Sequence, residues 1–268
     1  MTWKSVLGRV SFINCDPVFH SIEGDWRLLS APPSWLTGHL LRRDCLTAPI
    51  PTADYAKNSD ELCLLPDIAI VSKGDVGSVL LFGNREVEAM RDIAIPTDSS
   101  TSIKLLKWIL GKRGLDPRLI EMGPEINTML RKCDGALLIG DRALDAALEG
   151  PDTVKLDLGK EWVRITGFPM VFGVFAARKD SPSEMITKAY NDMLFQYRSF
   201  INDEAVRNQV IMASSKKLHY PESRVERYFA DEVSNLFGED GIEGLGYFLT
   251  EVCGMTERPT WFQPIHSV

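Results

Sequence analysis

Four hydroxyl residues stand in a row at Ser99, Ser100, Thr101 and Ser102. They separate an apolar, strand-like run at 93–95 from a helical run with Ile103, Leu106 and Leu110 on one stripe and Lys104, Lys107 and Lys112 off it. Hydroxyls at such a junction can do two things. They can cap the free N–H groups of the first helical turn. They can also offer donors beside the positive end of the helix dipole, where a carboxylate or phosphate is favoured. One serine suffices for capping, and on this segment alone both readings stay open. Three other positions could add to such a site. Asn14 closes an apolar run over 6–14, just ahead of Asp16 and Pro17. Strand C-termini face the ligand crevice in open α/β sheets, and a side-chain amide there either donates to a carboxylate or ether oxygen or closes a local turn. Ser78 follows Gly74 and Gly77, which either let backbone come close to a ligand or mark a plain loop. Thr52 caps a short helix over 53–57 and could also point into a cleft.

Several kinds of chemistry lack their residues. The chain has no Gly-x-Ser-x-Gly elbow, no phosphate-binding Gly-Lys-Ser/Thr loop and no Gly-x-Gly-x-x-Gly. Cys15 has no recognisable base partner and reads as structural. Asp141, after Gly140, most simply caps a helix. The four histidines, His20, His39, His219 and His266, show no metal-ligand spacing, and the five cysteines are scattered without a Cys-x-x-Cys pair. The expectation is therefore a site with no metal and no cofactor. An enzyme built on it would work by positioning, with little acid–base machinery of its own.

The elements that must carry these residues alternate. Strands are expected at 6–14, 46–50, 67–71, 78–82, 93–95, 135–139 and 170–176, with helices at 34–43, 53–57, from Ser100, at 126–133 and at 141–148. This order argues for an α/β protein with largely parallel sheets flanked by helices. After Lys179 only helices are expected, with apolar stripes at Ile186, Tyr190, Met193, Tyr197 and Ile201, then Val225, Phe229, Val233 and Leu236, then Ile242, Leu245, Leu249 and Val252. These stripes read as core. No linker or repeat interrupts the chain, so two small lobes joined by strand-like crossovers near 82–91 and 169–175 fit best. That division puts 1–88 and 174–268 in one lobe and 89–173 in the other, with a ligand in the cleft between them.

The bulk numbers exclude some partners. The chain has 268 residues, 44% of them hydrophobic and 25% charged, with a net charge of −7. A chain so acidic, without a basic stripe, is not a nucleic-acid binder. No apolar run approaches membrane-spanning length, and the first nine residues do not read as a secretory signal. Odd, scattered cysteines fit reduced thiols, so a cytoplasmic location is expected.

Taken in order, several segments resemble a known family. They are 8–17 around Asn14, Cys15 and Pro17; Ala48, Pro49 and Ile50 with Asp54, Tyr55 and Ala56; 65–67; 78–82; 99–102; and 136–141. The most specific are 157–162 (Asp-Leu-Gly-Lys-Glu-Trp) and 166–172. Together, from about Gly8 to Arg178, the set resembles the MqnA family, the chorismate dehydratases of the futalosine route to menaquinone. The resemblance implies a type II periplasmic-binding-protein-like fold used as an enzyme. It implies loss of water from chorismate to give 3-[(1-carboxyvinyl)oxy]benzoate. It also implies that Asn14, Ser78 and residues 99–102 lie at this small dicarboxylate substrate, whose own carboxylate could serve as the base. Three positions depart from the family pattern: Pro51 replaces a usual Ser, Leu46 a frequent Asp and Asp75 a frequent Pro. A sister family on the same route, the 1,4-dihydroxy-6-naphthoate synthases, usually has a catalytic His where this chain has Gly140. A binding protein without chemistry is the reading from a different class. It would require either an export signal or an output domain.

Overall fold

The computed structural model describes residues 2–22 and 24–265, so His266 lies outside the described residues. Eleven strands are numbered along the chain: β1 Val6–Val10, β2 Arg27–Ala31, β3 Thr47–Pro51, β4 Leu62–Ser72, β5 Val79–Gly83, β6 Asp92–Ile95, β7 Arg118–Glu121, β8 Gly135–Ile139, β9 Val154–Asp157, β10 Met170–Arg178 and β11 Ser234–Leu236. They form two sheets. The first has the order β11-β4-β10-β3-β1-β2 and the second β7-β6-β8-β5-β9.

The sheets are mixed, where the alternation of elements suggested mostly parallel ones. β1 pairs in parallel with β2 and β3, and β6 with β7 and β8. Around β10 and β5 the pairing is antiparallel. The reason is the double passage between sheets. The chain leaves the first sheet at Ser72 and re-enters it at Met170, and these two residues are partners in the ladder. A strand that returns beside the exit must run against the strand that left. The same holds in the second sheet, where Leu80 near the entry faces Asp157 near the departure.

The outward passage therefore runs through 73–78, and the expected crossover at 82–91 does not occur. β5 pairs wholly within the second sheet. Gly77, at φ +64°, makes the turn between the sheets. The first strand ends at Val10 rather than Asn14, because Ile13–Cys15 coils into a 3-10 turn leading to a short helix at Asp16–Phe19, with Pro17 in its first turn. The expected helical stripe from Val225 to Leu236 also breaks. Its helix ends at Glu232, and 234–236 adds an edge strand to the first sheet. On the other two stripes Ile201 and Ile242 are exposed and do not join the core.

Side-chain alternation divides the second sheet between two cores. Leu81, Leu137 and Ile139 join the large core that also packs the first sheet. Leu80, Phe82, Ala136 and Leu138 point the other way, toward helices Ile126–Lys132 and Asp141–Glu149. One face of the second sheet is thus turned toward the first, and the space between them is the cleft.

Candidate functional site

The cleft measures about 560 Å³ counted out to its mouth and is lined from both sheets. Val10, Phe12, Asn14 and Pro51 come from the first side, and Ser78, Ser99, Thr101, Ser102 and Gly140 from the second. Phe172 and Val233 complete the apolar wall. None of the lining side chains carries a formal charge. The cleft therefore offers hydroxyls, one amide and backbone N–H groups against apolar surface.

The hydroxyl turn forms the start of helix Ser100–Lys112. Ser99 occupies the N-cap position, yet its side chain makes no capping bond. Its hydroxyl is therefore free, and Ser99 and Ser102 both line the cleft. Thr101 has a different task. Its Oγ1 accepts a hydrogen bond from the Ala53 amide at 3.0 Å, joining the second sheet's helix to the first sheet's helix Thr52–Lys57. Ser100 is not among the lining residues, and its buried hydroxyl has no partner.

Asn14 reaches the cleft from the 3-10 turn. Its Oδ1 is buried and has no hydrogen-bond partner. A buried, unpaired amide oxygen carries a desolvation penalty, which a ligand donor or water in the cleft would remove. Ser78 also lines the cleft, and its hydroxyl lies 3.0 Å from the Tyr228 hydroxyl. Burial pushes the Tyr228 phenol above its usual range, so it stays protonated and can hold Ser78 in place. Thr52 does not line the cleft. It is fully buried, and its hydroxyl donates to the Val171 carbonyl at 2.7 Å, bonding the start of helix Thr52–Lys57 to β10.

Of the three departures, only Pro51 reaches the cleft. Leu46 is buried in the core, and Asp75 pairs on the surface with Lys160 at 3.1 Å. Cys15 is fully buried and its thiol is pushed up to about 12 by that burial, so it is not a nucleophile at neutral pH. His39 pairs with Asp44 on the surface, and His219 ends a helix at φ +59°.

Sequence reasoning missed Phe12, Gly140 and Tyr228. Gly140 has a signal of its own. It sits at φ +62°, and an added Cβ would overlap the Phe12 ring, so a side chain there would fill the cleft. Tyr228 had none, because 150 residues separate it from Ser78. Asp141 opens helix Asp141–Glu149 and accepts the Ile13 amide at 3.0 Å. Burial, partly offset by that bond and by Lys217, pushes its carboxyl up to about 6.

A family model described as menaquinone biosynthesis matches residues 5–252. The chain belongs to this menaquinone biosynthesis family. A relative from Thermus thermophilus, named chorismate dehydratase, is 36% identical over 196 residues, covering 66% of this chain and 71% of the relative. Among solved structures, a protein from Archaeoglobus fulgidus is similar at TM-score 0.70 and 19% identity, covering 93% of this chain and 97% of that one. The periplasmic aliphatic sulphonate binding protein of Escherichia coli is similar at TM-score 0.62 and 13% identity, covering 98% and 94%. This family member thus has the periplasmic-binding-protein-like fold, with two mixed α/β sheets and a cleft between them. No helix among the described residues is long and apolar enough to cross a membrane.

Proposed function

We propose that this family member is a chorismate dehydratase, a hydro-lyase that converts chorismate to 3-[(1-carboxyvinyl)oxy]benzoate and water. The observation that carries the reading is the uncharged cleft faced by a hydroxyl-bearing helix N-terminus whose side chains are not used for capping. Such a wall suits a carboxylate. The dipole and first-turn N–H groups attract it, and Ser99 and Ser102 add donors. The substrate ring packs on Phe12, Ile50 and Phe172, which also keep water off the reacting carbons.

The elimination breaks two bonds on adjacent ring carbons. A proton leaves the carbon bearing the enolpyruvyl ether, hydroxide leaves its neighbour, and the two combine as water. The electron pair of the broken C–H bond becomes part of the aromatic ring. No carboxylate, imidazole or amine lines the cleft to take the proton. The reading therefore gives that role to a carboxylate of the substrate, held in reach by its binding geometry. Asn14 orients the enolpyruvyl group and polarises it, since an amide cannot accept a proton at neutral pH. The step needs no oxidant, metal or nucleotide. Free cysteines throughout the described chain support a reducing, cytoplasmic setting.

The test is direct. Purified protein incubated with chorismate should yield a product lighter by one water, with the ultraviolet spectrum of a benzoate, and a chelator should leave the rate unchanged. Folded protein that leaves fresh chorismate intact overturns the reading.

A further inference from the structure

Asn14 has no side-chain bond to hold its amide oxygen, so the backbone of its turn must aim it. That turn is tied down from two directions. From the first sheet's own side, Lys217 donates to the Ser11 carbonyl at 2.8 Å, and Ser214 donates to Asp16 at 2.8 Å, with Arg9 also on Asp16. These ties hold the turn against β1 and helix Glu204–Leu218. They say nothing of where Asn14 stands relative to the opposite wall.

One tie does cross. The Ile13 amide, one residue before Asn14, donates to Asp141 Oδ1 at 3.0 Å. Asp141 follows β8 and Gly140, and β8 pairs with β6, the strand that leads into the hydroxyl turn. The bond therefore links the amide on one wall to the same framework that carries Ser99 and Ser102 on the other. Thr101, on the Ala53 amide, makes a second crossing at the far side of that turn.

We propose that Asp141 is a positioning residue for the reaction, setting the placement of Asn14 over the substrate held by Ser99 and Ser102. The idea rests on the chorismate reading for its turnover measurement. The Asp141 carboxylate is not among the groups that line the cleft. It is also not placed there for cheap stability. It is largely buried, its nearest cation, Lys217 Nζ, is 4.0 Å away and is shared with Asp16, the like charges of Asp16 and Asp145 lie nearby, and the Tyr220 hydroxyl donates to Asp145 and toward the Asp141 backbone carbonyl, leaving the Asp141 carboxylate aside. The ionised group is thus held at a cost, as its raised pKa also indicates.

The experiment compares Asp141→Ala, Asp141→Ser and Asp141→Asn, alone and combined with Asn14→Ala. Loss of the acceptor in the Ala variant, and its withdrawal by one bond length toward the backbone in the Ser variant, should lower kcat by about tenfold to a hundredfold, the scale of an ångström-sized misplacement, with KM within about threefold. Asn keeps an oxygen for the Ile13 amide and should restore kcat to within about threefold of wild type. In the Asn14→Ala background, Asp141→Ala should add no further loss, because the residue acts through Asn14. Hydrogen exchange at the Ile13 amide, slow in wild type and Asp141→Asn and fast in Asp141→Ala or Asp141→Ser, reads the tie without any substrate. Equal losses for Asn and Ala, independent losses in the double variant, or unchanged Ile13 exchange each overturn the proposal. Absence of chorismate turnover in the wild-type protein overturns the functional reading instead.

Discussion

The hydroxyl turn at 99–102 and the stretch at 157–162 are both dense in polar side chains, and those side chains meet opposite fates. In the second stretch every polar group is engaged within the protein. Asp157 accepts the amides of Val76, Gly77 and Lys160, closing the turn between the sheets and capping helix Leu158–Thr166. Glu161 is held by Arg113 at 2.6 Å and Arg164 at 2.8 Å. Trp162 donates to the Pro169 carbonyl and packs on Trp108 and Phe248. In the first stretch, and at Asn14 facing it, buried polar atoms are left without protein partners. Each such atom carries a desolvation penalty, and Thr47 and Ser181 hold unpaired buried hydroxyls away from the cleft as well. It is the missing partner together with a place on the cleft wall that sets Asn14 apart from the architectural groups.

That contrast can be broken by substitution. The largest effect should come from Asn14. Asn14→Ala should lower turnover by about 10²–10³-fold, the scale of losing one donor aimed at developing charge. Asn14→Asp should be worse, because it sets a negative charge beside an anionic substrate. Both should melt close to wild type, since no protein partner is lost; a large drop in melting temperature would place Asn14 with the architectural group.

Next comes Glu161, on the other side of the comparison. The arginines hold its carboxyl down at about 2, mainly through the Arg164 hydrogen bonds. Because the folded pKa lies below the unfolded one, the stabilisation is present in full above about pH 5. It is lost as pH falls toward 2. It amounts to about 3 kcal/mol. Glu161→Gln should therefore lower the melting temperature at pH 7 and lose that difference near pH 2, with KM for chorismate unchanged. A KM change at full folding would contradict the division.

Ser99→Ala and Ser102→Ala should each raise KM by about tenfold to a hundredfold, the loss of a hydrogen bond to a charged group, with melting temperature unmoved. Thr52→Val, which removes a hydroxyl already bonded to the Val171 carbonyl, should do the reverse. It should cost about 1 kcal/mol of stability and leave KM alone. If the three behave alike in a paired thermal melt and kinetic titration, free and engaged hydroxyls are not different in kind. The smallest effect belongs to the histidines: replacing His20, His39 or His219 should keep turnover within about tenfold, below the loss typical of a general base. A collapse of activity with substrate binding intact would identify a side-chain base and end the substrate-assisted reading.

The local pattern carried much of this protein. Apolar runs at 93–95 and 135–139 and the stripe after Ser100 became the elements they suggested, because each needs only its own neighbours in sequence. Helices do begin at Thr52 and Asp141, but neither side chain caps its helix as expected, since Thr52 is bonded to Val171 and Asp141 to Ile13 instead. The short strands β2, β7 and β9 were not legible, since an edge strand of four or five residues with half-exposed side chains has little periodicity to read. The edge strand at 234–236 is hidden inside a helical stripe because its three residues are too few to interrupt the spacing of Val225, Phe229, Val233 and Leu236.

For the site, residue type and position made Asn14, Thr52, Ser78 and residues 99–102 candidates, and the family resemblance placed Asn14, Ser78 and residues 99–102 at the substrate. Only the tertiary structure could divide the nominated hydroxyls, leaving Ser99 and Ser102 unengaged in the cleft, bonding the hydroxyl of Thr101, which also lines it, to Ala53, and burying Thr52 against Val171. Only it could bring Tyr228 to Ser78 and Asp141 to Ile13. A hydroxyl has the same chemistry whether it caps, cross-links or waits for a ligand. Which of these it does depends on partners a hundred residues away, and those are chosen by how the two sheets pack.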